Sequence, residues 1–241
     1  MKIRAALGFN LIDYPGKIAA VAFAPGCDCL CPACHAKPLL NGDALISEDD
    51  FLKYLAGVRQ WVNGVVICGG EPALQPGLVP FMGRLKAVNL SVKLDTNGGA
   101  PEILNRLLSD KLADYVAMDV KGPRDLWTKI YGRSGGEAAM IESMRVVTRF
   151  PDYEFRTTVV PVLRGGGEIS FLTVAEMAGT ARLIAETTGG SGHKYYIQKF
   201  VPRKGGLLDA RLEEFPETPP LLLEDIKKEV LAYLPKCEVR G

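Results

Sequence analysis

Residues 26–35 read Gly26-Cys27-Asp28-Cys29-Leu30-Cys31-Pro32-Ala33-Cys34-His35, and this stretch sets the frame for the rest of the chain. Cys27, Cys31 and Cys34 stand in C-x3-C-x2-C spacing on one loop. Three thiolates so placed suit three irons of a [4Fe–4S] cube and leave the fourth iron without a local cysteine. An open iron is a binding position, so the spacing points to catalysis more than to electron storage. Zinc is the competing reading, because Cys27, Cys29, Cys31, Cys34 and His35 include enough donors for a tetrahedral ion. Structural zinc loops usually add a second ligand pair from a distant segment, and none is evident. Cys29, inside the first spacer, is read as a bystander.

Working outward, residues 17–24 form an apolar run that feeds straight into the cysteines, the first of six expected strands. The others are residues 64–68, 91–95, 115–119, 153–160 and 195–200. Helical patterns lie between them: 47–61, with Ser47 and Asp50 as a variant capping box, then 76–88 and a helix opened by Pro101. Further helices are expected over 126–131, 137–150, 170–186 and 222–234. Strand and helix alternation of this kind predicts an α/β fold with a parallel sheet, in one domain spanning residues 1–241. The glycine-rich pieces 164–167 and 189–192 are too short to divide it. Four polar motifs fall at carboxyl ends of successive strands: the cysteines, Gly69-Gly70-Glu71-Pro72, Asp95-Thr96-Asn97-Gly98 and Asp119-Val120-Lys121. In parallel α/β sheets and barrels that edge is where binding sites assemble.

Composition narrows the class further. Basic residues number 29 and acidic residues 28 in a chain of 241, so charge gives no case for a nucleic-acid or membrane partner. The start Met1-Lys2-Ile3-Arg4 is not followed by a signal-peptide core, and no apolar run approaches a membrane span. Four of the six cysteines crowd into residues 27–34, unlike a secreted disulfide framework. A reduced, cytoplasmic setting follows. His193, in a Gly-Ser-Gly-His loop, is expected at the surface.

The cysteine loop after a first strand, with Gly69-Gly70-Glu71-Pro72 after the second, resembles the radical S-adenosylmethionine (SAM) enzymes. More narrowly, Leu11-Ile12-Asp13-Tyr14-Pro15-Gly16-Lys17, Lys93-Leu94-Asp95-Thr96-Asn97-Gly98 and residues 115–121 resemble activating enzymes of glycyl-radical proteins, above all those serving anaerobic ribonucleotide reductase. Residues 156–161, 195–198 and the ending Val239-Arg240-Gly241 extend the likeness to nearly the whole chain.

The resemblance implies a partial (β/α)6 parallel barrel in which Cys27, Cys31 and Cys34 ligate the cluster and SAM chelates the free iron. One-electron cleavage of SAM then yields a 5′-deoxyadenosyl radical that takes hydrogen from a glycine of a partner protein. It further implies SAM contacts from Gly69, Gly70, Glu71, Asp95, Thr96, Asn97, Lys121, Arg156 and Gln198, and a Na+ or K+ ion held by Asp95, Thr96 and Asp119, the alternative for these Asp and Asn residues being helix capping with no ion. Lys121 and Arg156 stand to meet the SAM carboxylate or ribose, or else to pair with Asp95 and Asp119. The electron would come from a reduced flavodoxin- or ferredoxin-type donor. Ala33 departs from the family, which carries an aromatic residue there to pack against adenine; His35 is one candidate to compensate. Two other functions stay open: a radical SAM enzyme acting on a small molecule, and a zinc-stabilised protein without catalysis.

Overall fold

The computed structural model describes residues 1–40 and 42–240; Asn41 and the terminal Gly241 quoted above lie outside the described residues. The chain begins with β1 (Ala5–Asn10), antiparallel to β2 (Ala19–Ala24). All but one residue of β2 is buried, as befits a strand covered on both faces. The short α1 (Lys37–Leu40) follows the cysteine loop, and α2 (Glu48–Val58) leads to β3 (Gly64–Gly69). Then come α3 (Leu78–Ala87), β4 (Ser91–Thr96), α4 (Pro101–Ser109), β5 (Tyr115–Asp119), α5 (Trp127–Tyr131), α6 (Glu137–Val147) and β6 (Tyr153–Val159). A hairpin of β7 (Pro161–Gly165) and β8 (Glu168–Phe171) precedes α7 (Val174–Thr188), β9 (Lys194–Lys199), α8 (Pro220–Val230) and β10 (Lys236–Arg240).

The main sheet runs β1-β2-β3-β4-β5-β6-β9-β10, and every pairing from β2 onward is parallel. Its outer strands do not meet, so this is an open, partial barrel. The six expected strands are β2 to β6 and β9; β1, β10 and the hairpin are additions. Residues 168–171, part of which was expected to be helical, instead form β8. The helix begins at Val174 because Thr173 and Glu176 make a full capping box. Ser47 caps α2 as the sequence suggests, accepting from Asp50 N at 3.0 Å and donating to Asp50 Oδ2 at 2.6 Å.

Two cores result from the alternation of strand side chains. Outside the sheet, the helices bury Phe51, Phe81, Leu85, Leu104, Met144 and Ile184. Inside, Tyr14 and Tyr115 meet edge to face at 5.9 Å and, with Val21, Val66 and Ala117, close the lower barrel. His193 is buried, contrary to the surface position expected of it. Its ring spans Tyr153 Oη and Thr188 Oγ1, each at 2.7 Å, and so joins β6 to the end of α7.

Candidate active site

At the carboxyl ends of the strands lies a cavity of about 440 Å³. Cys27, Cys31, Cys34, Gly69, Gly70, Glu71, Asp95, Thr96, Asn97, Asp119, Lys121 and Arg156 all line it, so twelve residues expected from the sequence share one space. Gln198 is not among the lining residues. It pairs in register with Thr158, which does line the cavity, and so sits on the inner face at its margin.

The cysteine loop is held from three directions. Asp28 gives one carboxylate oxygen to Asn97 Nδ2, at 2.9 Å, and the other to Arg133 Nη1. Leu30 N donates to Tyr131 O at 2.9 Å, and Asp209 N donates to Pro32 O at 3.0 Å. All six cysteines are free thiols. Cys29 is buried rather than exposed to oxidation, and Asn97 Nδ2 stands 3.3 Å from its sulfur. Its thiol hydrogen-bonds towards its neighbours, and this holds Cys27 down to about 7 and lowers Cys31 as well. Burial raises Cys34.

Three thiols lining one cavity suit a cube with one iron per cysteine. A tetrahedral zinc bound by sulfur needs ligand atoms about 3.8 Å apart. Among the described residues the one group of three or more whose ligand atoms all lie within 4.8 Å of one another is Cys27, Asp28 and Cys29, and Asp28 is already committed to Asn97 and Arg133.

Gly69 and Gly70 are needed by the backbone itself. Gly70 N donates to Ala24 O at 2.9 Å and Glu71 N to Gly26 O at 2.8 Å, so the end of β3 lies directly on the junction of β2 with the cysteine loop. Gly69 has φ +114°, and a Cβ there would come within 2.6 Å of Ala24 O; one at Gly70 would run into Gly26 O. Glu71 serves as a strut. Its Oε1 accepts from Ala73 N at 3.0 Å and Thr96 Oγ1 at 2.8 Å, while Oε2 accepts from Asn97 N at 2.6 Å. Burial pushes its carboxyl up to about 8 against those donors.

Asp95 and Asp119 are bridged by Arg156, whose Nη1 lies 2.9 Å from Asp95 Oδ2 and whose Nε lies 3.0 Å from Asp119 Oδ1. Lys93 Nζ takes Asp95 Oδ1, and Lys121 Nζ takes Asp119 Oδ2 at 3.0 Å. Burial works to raise both carboxyls, but these cations outweigh it: Asp95 is lowered and Asp119 is held at about 2. Of the two roles open to Lys121 and Arg156, ion pairing is the one seen.

Around Ala33 the wall is aliphatic and aromatic. Ala33 packs on the cluster of Phe200, Leu207 and Leu212, and the His35 ring stacks on Phe200 at 5.7 Å while Nε2 meets Val201 O at 2.8 Å. Val160, Val162, Leu163 and Ile130 complete this side.

Residues 21–178, well over half the chain, match the family model described as the radical SAM superfamily. The chain belongs to the radical SAM superfamily. This radical SAM protein is 31% identical over 230 residues to a Methanocaldococcus jannaschii protein provisionally named a glycyl-radical enzyme activating enzyme, covering 90% of this chain and 85% of that one. Among solved structures it resembles Streptococcus suis SuiB bound to precursor peptide SuiA, with a TM-score of 0.67 at 12% identity over 92% of this chain; the chain spans 48% of that structure. It also resembles a domain of pyruvate-formate lyase-activating enzyme from Bacteroides vulgatus, with a TM-score of 0.53 at 17% identity over 74% of this chain and 99% of that one. At those identities the structures speak for the fold. No helix among the described residues is long and apolar enough to cross a membrane.

Lys93, Asp28 and Arg133 were not singled out from the sequence. Lys93 was within reach, since residues two apart on a strand share a face and Asp95 was already a candidate. The partners of Asp28 are 69 and 105 residues away, and no local pattern announces them.

Proposed function

We propose that this radical SAM enzyme is an activase, which takes a hydrogen atom from a backbone glycine of a partner glycyl-radical protein. The observation that carries the reading is the convergence on one cavity of three motif thiols, the Gly69-Gly70 crossing and a cationic floor built on Arg156. The activase subtype draws its support from the 31% identity to the M. jannaschii relative over most of both chains. Residues 1–241 act as one domain in this reading, with a flavodoxin- or ferredoxin-type protein as electron donor.

Cys27, Cys31 and Cys34 hold the cluster, and Gln198 with Asp95, Thr96, Asn97, Lys121 and Arg156 surrounds SAM. When bound, these groups supply one-electron cleavage of the S–C5′ bond and the power to abstract hydrogen from an unactivated C–H bond. The chain's own residues position and shield. Asn97 and Arg133 fix Asp28 and with it the cysteine loop. Within the barrel four cations, Lys93, Lys121, Arg156 and Arg240, face three paired carboxylates, Asp95, Asp119 and Glu154. That excess of positive charge favours a ligand bearing a carboxylate. Ala33, Val160, Val162, Leu163 and Ile130 offer an apolar wall to the adenosyl group and exclude water beside it.

Anaerobic reconstitution tests the chemistry: a visible absorbance that dithionite bleaches and 5′-deoxyadenosine formed from SAM are expected. Stoichiometric zinc without SAM cleavage would overturn it. Incubation with glycyl-radical proteins should give a persistent glycine-centred electron-resonance doublet. If a full panel stays silent while a metabolite incorporates solvent deuterium, the small-molecule reading replaces the activase.

A further inference from the structure

The resemblance implies a monovalent cation between Asp95, Thr96 and Asp119, and the residues present do not fit one. Every oxygen it would use is committed. Asp95 Oδ1 is taken by Lys93 Nζ and Oδ2 by Arg156 Nη1; Asp119 Oδ1 is taken by Arg156 Nε and Oδ2 by Lys121 Nζ. Thr96 Oγ1 donates to Glu71 Oε1 at 2.8 Å and accepts from Gly98 N at 3.1 Å. Two carboxylates thus meet three protein cations, and a further positive ion would enter a place already in cationic excess.

Lys93 is the decisive member. It is 1% exposed, and its carboxylate partner among the described residues is Asp95. A buried ammonium must keep its counter-charge, since an unpaired charge in the interior is strongly disfavoured. Glu154 does not compete for it, because Arg240 holds both its oxygens at 2.8 and 2.9 Å and Tyr115 Oη donates to it at 2.6 Å.

We propose that the Lys93 ammonium occupies the electrostatic role of the monovalent cation, so that this site binds its carboxylate-bearing ligand without Na+ or K+. That the ligand is SAM rests on the function proposed above; the commitment of the carboxylates does not.

The test exchanges the reconstituted protein anaerobically into tetramethylammonium buffer and adds Na+ or K+ at matched ionic strength. Three quantities are read: SAM affinity by equilibrium dialysis, the thermal unfolding midpoint, and the sodium NMR linewidth. Wild-type protein should show less than about a twofold change in SAM affinity, no shift of the midpoint and no excess broadening. A saturable tightening of about tenfold or more, or broadening that K+ reverses, overturns the proposal. Lys93→Met frees Asp95 Oδ1 and should acquire a saturable Na+ or K+ dependence. A folded Lys93→Met protein with wild-type SAM affinity and no such dependence also overturns it. Should Lys93→Met not fold, the wild-type measurements decide. Should wild-type protein bind no SAM in any salt, the functional reading fails, while midpoint and linewidth still answer the cation question.

Discussion

Asn97 Nδ2 lies 2.9 Å from Asp28 Oδ1, joining the end of β4 to the middle of the cysteine loop. The amide is itself oriented, for its Oδ1 accepts from Gly99 N at 2.7 Å and its own N–H is held by Glu71. A chain of polar contacts therefore runs from Glu71 through Asn97 to Asp28 in the cysteine loop. Asn97→Ala is expected to cost about 1–3 kcal/mol and to leave Asp28 with Arg133 alone. Iron should leave the reconstituted variant faster under chelator challenge, as followed by absorbance; an unchanged time course would break the link.

Gly70→Ala should be among the most damaging small substitutions in the chain. Its new methyl group meets the carbonyl of Gly26, part of the loop backbone, which has nowhere to move without displacing Cys27. A loss of about 2–4 kcal/mol is expected in urea unfolding. Gly57→Ala is the contrast: exposed in α2 with no atom near the added Cβ, it should gain about 0.5–1 kcal/mol.

The acid limb of stability should depend on Asp119. Its folded carboxyl sits at about 2, below the ordinary value, so it stabilises the fold fully above pH of about 4 and loses that contribution as pH falls towards 2. With the side chain 31% exposed, solvent screening leaves about 1–2 kcal/mol. Urea titrations of apoprotein between neutral and acid pH should therefore show a steeper decline for wild type than for Asp119→Asn.

Ser143 carries the one buried side-chain polar atom without a hydrogen-bond partner among the described residues. It lies fully buried in α6, where the hydroxyl has given up water for nothing in return. Ser143→Ala is expected to raise stability by about 1 kcal/mol, measured as a higher unfolding midpoint with unchanged iron content.

The parallel frame was readable because its strands are short apolar runs, such as Ala19–Ala24 and Tyr115–Asp119, bounded by polar motifs. The cysteine loop and its companions were readable because they are local in sequence. What escaped notice depended on distant partners. β10 is Lys-Cys-Glu-Val-Arg, a mostly charged edge strand whose pairing with β9 nothing in its composition suggests. The expected helix over 170–186 takes in the last two residues of β8, although Thr173-x-x-Glu176 marks the true start just beyond that strand. His193 reads as a surface residue because its two partners, Tyr153 and Thr188, become neighbours only on folding. Arg156 could be assigned to a ligand or to an ion pair from sequence; its reach to both Asp95 and Asp119 required the spacing of three strands.

The cysteine loop owes its shape to contacts with Asn97, Arg133, Tyr131 and Asp209, none of them a thiol. Small zinc domains collapse when stripped because their metal is their core; here the mould is cast by the polypeptide. On the function proposed above, a chain emptied of its cluster would therefore keep the contacts of Asp28, Leu30 and Pro32 that shape the loop, ready to be refilled rather than replaced.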